Sequence, residues 1–236
     1  MVFNSAEVMQ LADQFELIIS KEKLDEAIKS FSWGGVSEAA SLKARDKVAD
    51  SFKNWAKAGF PDNRFDEEIQ KVHVWGFGQP LSKSTCHILK EPHRSVLSEC
   101  MKKWYSKSDI SERRESLREA LKIKSIGIAR LSKWVCFLDQ EVYAIYDSRV
   151  SLALRRLRLD DHRAFPTIGR RSSAKIKYPY QSYLGKDSLE VAENVTYAYL
   201  NFLALLDVLK IRFNISSSSE IEKGLFMLGQ HPHLWE

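Results

Sequence analysis

The chain has 236 residues, 44% of them hydrophobic, with six Trp, eight Tyr and twelve Phe. That is enough apolar side chain for a substantial core, in one domain or two closely packed lobes, and too much for a disordered chain. No apolar run reaches the roughly 18 residues of a membrane span, no basic-then-apolar leader opens the N-terminus, and Cys86, Cys100 and Cys136 form no Cys-x-x-Cys pair, so a membrane protein, a secretion signal and a four-cysteine metal or iron–sulfur site are all excluded as expectations. The cysteines read as free thiols of a reducing cytosol. The net charge of +5 hides an uneven distribution: residues 1–70 carry −4, residues 71–180 carry +12 and residues 181–236 carry −3. A basic centre between acidic ends suits a polyanionic partner; a merely solvated Lys-rich surface is the alternative.

In chain order, Ala6 to Ile19 and Leu24 to Phe31 are amphipathic at helical spacing. Ser32-Trp33-Gly34-Gly35 breaks the pattern. Ser37 opens a long helix through Ala58, closed by Gly59-Phe60-Pro61, and Lys43, Arg45, Asp46, Lys47 and Asp50 read as its solvated face. Asp66 to Val74 is a further helix, and this whole region reads as scaffold. The stretch from Val72 to Ser84 places two glycines around an aromatic and ends in a Gln-Pro turn, a loop able to approach a partner. Trp75 and Phe77 either face that partner or plug the core. His73 and His87 are isolated and read as hydrogen-bonded structural histidines. His93 to Tyr105 and Ser111 to Leu121 are two more helices.

From Lys122 to Val150 the order is helix end, turn, helix, connector, and an Asp at a helix start. Ile123-Lys124-Ser125-Ile126-Gly127 forms the turn, where Gly127 is expected to supply a conformation that a Cβ would resist. Ile128, Leu131, Val135 and Leu138 recur at helical spacing, and the apolar run Val142 to Ile145 leads to Asp147 before Ser148-Arg149-Val150. A turn at a helix start exposes backbone N–H groups in one direction, which with the helix dipole favours an anion; Lys122, Lys124 and Arg130 add attraction. Asp147 can cap the helix that follows it.

Leu152 to Leu159 alternates leucines that pack with arginines that face out. Ala164 to Tyr183 is a long, basic, Tyr- and Ser-rich loop, in which arginines can hold phosphates and tyrosines can stack on a base; Arg170, Arg171, Tyr178 and Tyr183 are its candidates. Leu189 to Ile211 is a long helix, and Ser216 to Ser219 starts a last one, Glu220 to Leu228.

The stretch 122–150 resembles the helix-hairpin-helix DNA glycosylase superfamily, nearest to the bacterial branch described as having an 8-oxoguanine glycosylase fold; some members of the wider superfamily act in phage defence. The match covers about thirty of the 236 residues. The family's hairpin reads Leu-Pro-Gly-Val-Gly; here Ser125 stands for the first glycine and Gly127 for the second. The family's Asp lies in a Pro-Val-Asp-x-His-like motif; here it is Ile145-Tyr146-Asp147-Ser148-Arg149, with Arg149 near the usual His.

The resemblance implies an all-α, two-lobed helix-hairpin-helix glycosylase fold over residues 1–236, with a DNA cleft between the lobes. It implies a hairpin at Ser125–Ala129 that grips a phosphate, with Lys122, Lys124, Ser125, Ile126, Gly127, Ala129, Arg130 and Arg149 on the DNA. Asp147 would assist hydrolysis of the N-glycosidic bond of a flipped nucleotide by stabilising positive charge on the sugar. An early helix–loop would supply a wedge or pocket wall, for which Trp75, Phe77 and Gln79 are candidates. Bifunctional members carry a lysine two residues after the second hairpin glycine; here that position is Ala129, which implies a monofunctional enzyme leaving an abasic site. Lys133, one turn later on the same face, can replace the missing amine or contact a phosphate, and an exposed lysine is the bland alternative. The substrate would be double-stranded DNA carrying a modified base, either an oxidised purine such as 8-oxoguanine or a bulky pyrimidine such as glucosylated hydroxymethylcytosine. No cofactor or metal is expected, and the protein is expected to be a monomer, cytoplasmic and nucleoid-associated. Two other classes stay open: a non-catalytic helix-hairpin-helix DNA-binding module in which Asp147 only caps, and a protein-interaction helical domain without salt-sensitive DNA affinity.

Overall fold

The computed structural model describes residues 1–33, 36–160, 162–166, 168 and 188–231. Among them lie ten α-helices: α1 (Ser5–Ile18), α2 (Lys21–Lys29), α3 (Glu38–Lys57), α4 (Phe65–Phe77), α5 (His93–Tyr105), α6 (Ile110–Lys122), α7 (Ile128–Leu138), α8 (Ser148–Ala153), α9 (Ser188–Phe213) and α10 (Ser218–Gln230). Short polar side chains start most of them by accepting the first free backbone N–H groups. Asn4 and Glu7 make a reciprocal capping box on α1, and Ser20, Ser37, Asp109, Asp147 and Ser217 cap α2, α3, α6, α8 and α10. Gly59 at φ 83° ends α3 and Gly78 at φ 74° ends α4, each in the left-handed region that glycine enters without penalty.

The helices from the two ends of the chain pack on one another: α2 and α8 lie against α10, and α1 and α10 against α9. The helices from the middle do the same, α3 against α4 and α7, and α5 against α6 and α7. The two sets meet where α9 lies on α6, and one apolar core runs through both. Trp104 sits within it, its ring 5.2 Å from Tyr143 and 5.6 Å from Tyr199. No described helix is long and apolar enough to cross a membrane.

The segment from Tyr143 to Asp147 has no regular secondary structure and is buried. It lies too deep for water, so its polar groups find protein partners. Tyr143 Oη donates to the carbonyl of Trp104 (2.8 Å), Tyr199 Oη donates to that of Ala144 (3.0 Å), and the Tyr146 N–H donates to Ser132 Oγ (3.0 Å). This strap fixes where α8 begins.

Three elements depart from the sequence reading. Helix α4 continues to Phe77, so Gly76 is helical rather than part of a loop. The helical pattern after Asp147 stops at Ala153; a 3₁₀ turn, Leu154–Arg156, follows, and Arg158–Leu159 pairs antiparallel with His162–Arg163. The outer edge of this small ladder is satisfied by Gln14 of α1, whose amide both donates to the Arg158 carbonyl (2.8 Å) and accepts its N–H (2.9 Å). Arg45 does not lie on a solvated face: it is 1% exposed, on the stripe Ser41, Arg45, Ala49, Phe52 that α3 turns to the core.

Candidate functional site

A cleft of about 610 Å³ opens where the two helix sets face each other. Its walls come from Trp33 before α3, Gly76–Gly78 at the end of α4, Ala129 and Lys133 of α7, Asp147–Arg149 at the start of α8, and Phe226 of α10. Asp147 divides its carboxylate between two tasks. Oδ1 accepts the N–H groups of Arg149 (2.9 Å) and Val150 (3.2 Å) and caps α8. Oδ2 lies 3.7 Å from Lys133 Nζ. The capping bonds fix the side chain, so the second oxygen is aimed without further support.

Lys133 is not exposed, as the bland reading of the sequence would have it; it is 2% exposed. A lysine points back along its helix, so from one turn further on its amine returns to the level of Ala129 and donates to that residue's carbonyl (3.1 Å). The amine therefore occupies the level of the residue that lacks one. Gly76 makes room for it: a Cβ there would stand 2.7 Å from both Cδ and Cε of Lys133. The rings of Phe77 and Trp33 lie 5.2 and 5.7 Å from Nζ. Burial pushes the amine below the usual lysine range, against the opposing pull of Asp147 and then Glu222.

The aromatic walls are rigid. The Trp33 indole stacks on Trp75 (5.5 Å, 16°) and donates from Nε1 to the Trp75 carbonyl (2.8 Å), and the backbone N–H of Trp33 donates to Ser41 Oγ (2.8 Å). Phe226 lies 4.8 Å from Trp33, and the Arg149 guanidinium covers both rings, 4.5 and 5.2 Å from their centres. Phe77 is 41% exposed at the lip. Such a slot, with flat faces on its sides and a carboxylate and an amine on its floor, can take a planar heterocycle and act on what is attached to it.

The turn before α7 is built differently from expectation. Gly127 has φ −111° and a Cβ there would meet nothing within 4 Å, so the fold alone does not require glycine. The left-handed residue is Ser125, at φ 75°. Ile126 is buried and pins the turn to the core, while Lys124, Ser125 and Gly127 are exposed. Side chains hold the turn from both sides: Arg130 Nη1 donates to the Ser125 carbonyl, and His87 Nε2 lies 3.1 Å from the carbonyl of Lys124. Arg130 also donates to His73 Nε2 (3.3 Å), whose Nδ1 donates to the Gln79 carbonyl (2.7 Å). Gly127 has no side chain with which to cap α7, so the helix begins without an N-cap side-chain hydrogen bond. Lys122 pairs with Glu119.

The structure thus brings Asp147, Lys133, Ala129, Arg149 and Phe77 together, with the turn at 123–127 immediately before α7. Trp75 is half-buried and faces Trp33 and Phe137 rather than the cleft mouth, which makes it a packing group. Gln79 is exposed and contributes its carbonyl to His73; its side chain does not line the cleft. Arg170, Arg171, Tyr178 and Tyr183 lie outside the described residues. Sequence reasoning missed Trp33, Phe226, Glu222 and Arg45. Arg45 was legible from its i, i+4 spacing with Ser41 and Ala49; Trp33 was hidden in a stretch that reads only as a break. Comparison of the chain with protein-family models, curated proteins and solved structures gave no match.

Proposed function

We propose that this protein is a DNA glycosylase that acts on a modified base flipped out of double-stranded DNA, with Lys133 and Asp147 as its reacting groups. The observation that carries this reading is the buried Lys133 amine, 3.7 Å from Asp147 Oδ2 on the floor of an aromatic-walled cleft. A buried lysine serving only the fold would be better replaced by an apolar side chain, since desolvating its charge is unfavourable by several kcal/mol, of order 5. The two packing sets, with the cleft between them, fit a two-lobed helix-hairpin-helix architecture. The uncapped start of α7, beside the exposed Lys124 and Gly127, fits a phosphate grip.

The chemistry follows from the two groups. As the bond from sugar C1′ to the base lengthens, positive charge grows on the sugar, and the Asp147 carboxylate stabilises it. The free amine of Lys133 adds its lone pair to C1′, and the base departs with the electrons of the glycosidic bond, taking up the proton the amine sheds. The C1′–O4′ bond then breaks, the ring oxygen leaves with its electron pair and takes a proton from water to become the 4′ hydroxyl, and a cationic iminium remains at the lysine nitrogen. Water releases the abasic sugar, or loss of a C2′ proton expels the 3′ phosphate and cuts the strand. Burial favours the free amine this step needs. The departure of Ala129 from the bifunctional pattern is thereby offset by Lys133. Trp33, Phe77 and Phe226 offer flat faces to the flipped base.

The test is base release from oxidised DNA, uracil DNA and glucosylated phage DNA, with abasic sites counted before and after alkali and adducts trapped with borohydride. A trapped adduct lost in Lys133→Ala, and release lost in Asp147→Asn with DNA binding kept, are expected. Alkali-dependent abasic sites without an adduct would restore the monofunctional reading, with Asp147 activating water. Tight DNA binding with no abasic sites on any substrate would leave a helix-hairpin-helix binding module.

A further inference from the structure

Behind Lys133 the cleft narrows into an inner pocket with no room for a water molecule. Four charged side chains line it, Arg45, Lys133, Asp147 and Glu222, among the rings of Phe31, Trp33, Trp75 and Phe226. Glu222 is 1% exposed and is held by Arg45, whose Nη2 donates to its Oε2 and, at 2.8 Å, to Ser219 Oγ. The Arg45 guanidinium lies 5.6 Å from the ring centres of both Phe31 and Trp75, and its Nε and Nη1 meet no hydrogen-bond acceptor. An ion pair there for stability alone is a poor device, because an apolar pair of similar volume does as well or better. Its position against the Lys133–Asp147 pair calls for another role.

The charges decide which role. With no room for water between them, these four charges interact with one another directly. Arg45 is positive, and Asp147 and Glu222 are negative. The set carries one net negative charge when Lys133 is a free amine, and none when that nitrogen is cationic. We infer that Glu222 is a positioning residue for Lys133: with Asp147 it makes the cationic states of the lysine nitrogen, the resting ammonium and the iminium formed on the sugar, the charge-balanced states of the pocket. This rests on reading Lys133 as the attacking amine. The amine's proton leaves through the cleft, and the charge lost there returns when the iminium forms, so the pocket is complementary to the intermediate more than to the free enzyme's nucleophile. Arg45 keeps Glu222 in place and limits its pull. The other charged group on this wall is Arg149, its guanidinium 5.2 and 4.5 Å from the Trp33 and Phe226 rings, and Cys136, Tyr199 and His73 are neutral at physiological pH; burial raises the Glu222 carboxyl, the Cys136 thiol and the Tyr199 hydroxyl, and lowers His73.

The experiment uses the full chain without DNA first. The ¹³Cε resonance of Lys133, assigned by its loss in Lys133→Met, is followed across pH. Glu222→Gln removes the carboxylate charge and should lower the titration midpoint by on the order of one pH unit. Glu222→Asp keeps the charge and should leave it near wild type. The double replacement Arg45→Met with Glu222→Leu leaves no unpaired charge and guards against misfolding; there the midpoint should fall by less. An unchanged midpoint in Glu222→Gln, or in the double variant if the single one does not fold, overturns the inference. Borohydride trapping on DNA containing an abasic site is the second arm: at alkaline pH Glu222→Gln should give about tenfold less adduct than wild type, the same shift expressed as an equilibrium. Wild type that gives no adduct at all sinks the role of Lys133 as the attacking amine, and the titration still decides whether Glu222 sets its charge.

Discussion

At the scale of single residues the site depends on small side chains as much as on charged ones. Gly76 lies inside α4, where glycine weakens a helix by about 1 kcal/mol relative to alanine. What it does there is leave a groove for the Lys133 stem. In Gly76→Ala the added Cβ would meet Lys133 Cδ and Cε at 2.7 Å, and because those atoms belong to a flexible chain, the lysine moves rather than the backbone. The expected result is a helix propensity gain that holds the melting temperature within a few degrees of wild type, with borohydride-trapped adduct reduced at least tenfold. Adduct at the wild-type level would show that the groove does not set the amine's position. Gly229 offers the contrast. A Cβ there would come within 1.9 Å of the Arg149 carbonyl oxygen, which is backbone, so α8 and α10 must separate. Gly229→Ala should lower stability by about 3 kcal/mol in urea unfolding, in the range of overpacking in a tight core. Neither glycine's purpose was legible in the sequence. A glycine at a helix crossing and one in a loop look alike until the partner helix is known. Asp147 was legible because capping is local chemistry, readable from its place before Ser148-Arg149-Val150.

At the scale of elements, the turn between α6 and α7 and the end of α4 act as one unit. Ser125 adopts φ 75°, a conformation that disfavours a residue with a Cβ by roughly 1 kcal/mol, so Ser125→Gly should raise stability by about that amount. Gly127→Ala should change stability by less than about 0.5 kcal/mol, since it meets open space in an ordinary backbone region. If a phosphate approaches this turn, Gly127→Ala weakens DNA binding without weakening the fold; equal affinities would remove the phosphate grip from the turn. His73 ties α4 to this turn. Its Nδ1 faces a carbonyl and its Nε2 faces an arginine donor, so both partners require the neutral ring with the proton on Nδ1. Burial lowers its pKa from the usual 6.5, despite the Gln79 carbonyl, with Arg130 and Lys133 adding to the lowering. The sign then follows. Below pH 6.5 the unfolded chain takes up a proton that the folded ring resists. Stability is therefore full above that pH and falls as pH drops toward the lower folded value, by at most about 1.4 kcal/mol per pH unit for this one proton. His73→Gln should flatten that part of the curve of urea midpoint against pH. A curve of unchanged slope would mean that His73 accepts a proton in place. The helix boundaries here were largely legible, because caps and apolar spacing are local. The left-handed position was misplaced because Gly127 is the residue that looks permissive, while Ser125 is forced by the buried Ile126 and by Arg130 on its carbonyl.

At the scale of the whole molecule the chain's charge pattern overstates what a polyanion would meet. Residues 71–180 hold 23 cations for a net +12, but several of those cations have partners within the protein. Lys133 is buried, Arg130 is committed to Ser125 and His73, and Lys103, Arg118 and Lys122 pair with Glu112, Glu115 and Glu119. Arg118–Glu115 and Lys122–Glu119 lie within α6 at i, i+3 and were readable from spacing, whereas the burial of Lys133 and the Lys103–Glu112 pair between α5 and α6 are fixed only by the fold. A DNA duplex seated over the cleft and the turn before α7 would therefore neutralise only a few phosphates. Each neutralised phosphate contributes about −0.9 to the slope of log affinity against log salt, so a slope between about −2 and −5 is expected, far from what twelve contacts would give. Fluorescence anisotropy of a labelled duplex over a series of salt concentrations measures it. A slope near zero would remove nucleic acid as the partner and favour a protein-binding helical domain. A slope near −10 would mean that DNA wraps onto faces well beyond the cleft, and Lys124→Ala would then change the slope little. Within the expected range, Lys124→Ala should reduce its magnitude by about one phosphate's worth, because Lys124 is the exposed cation of the turn itself.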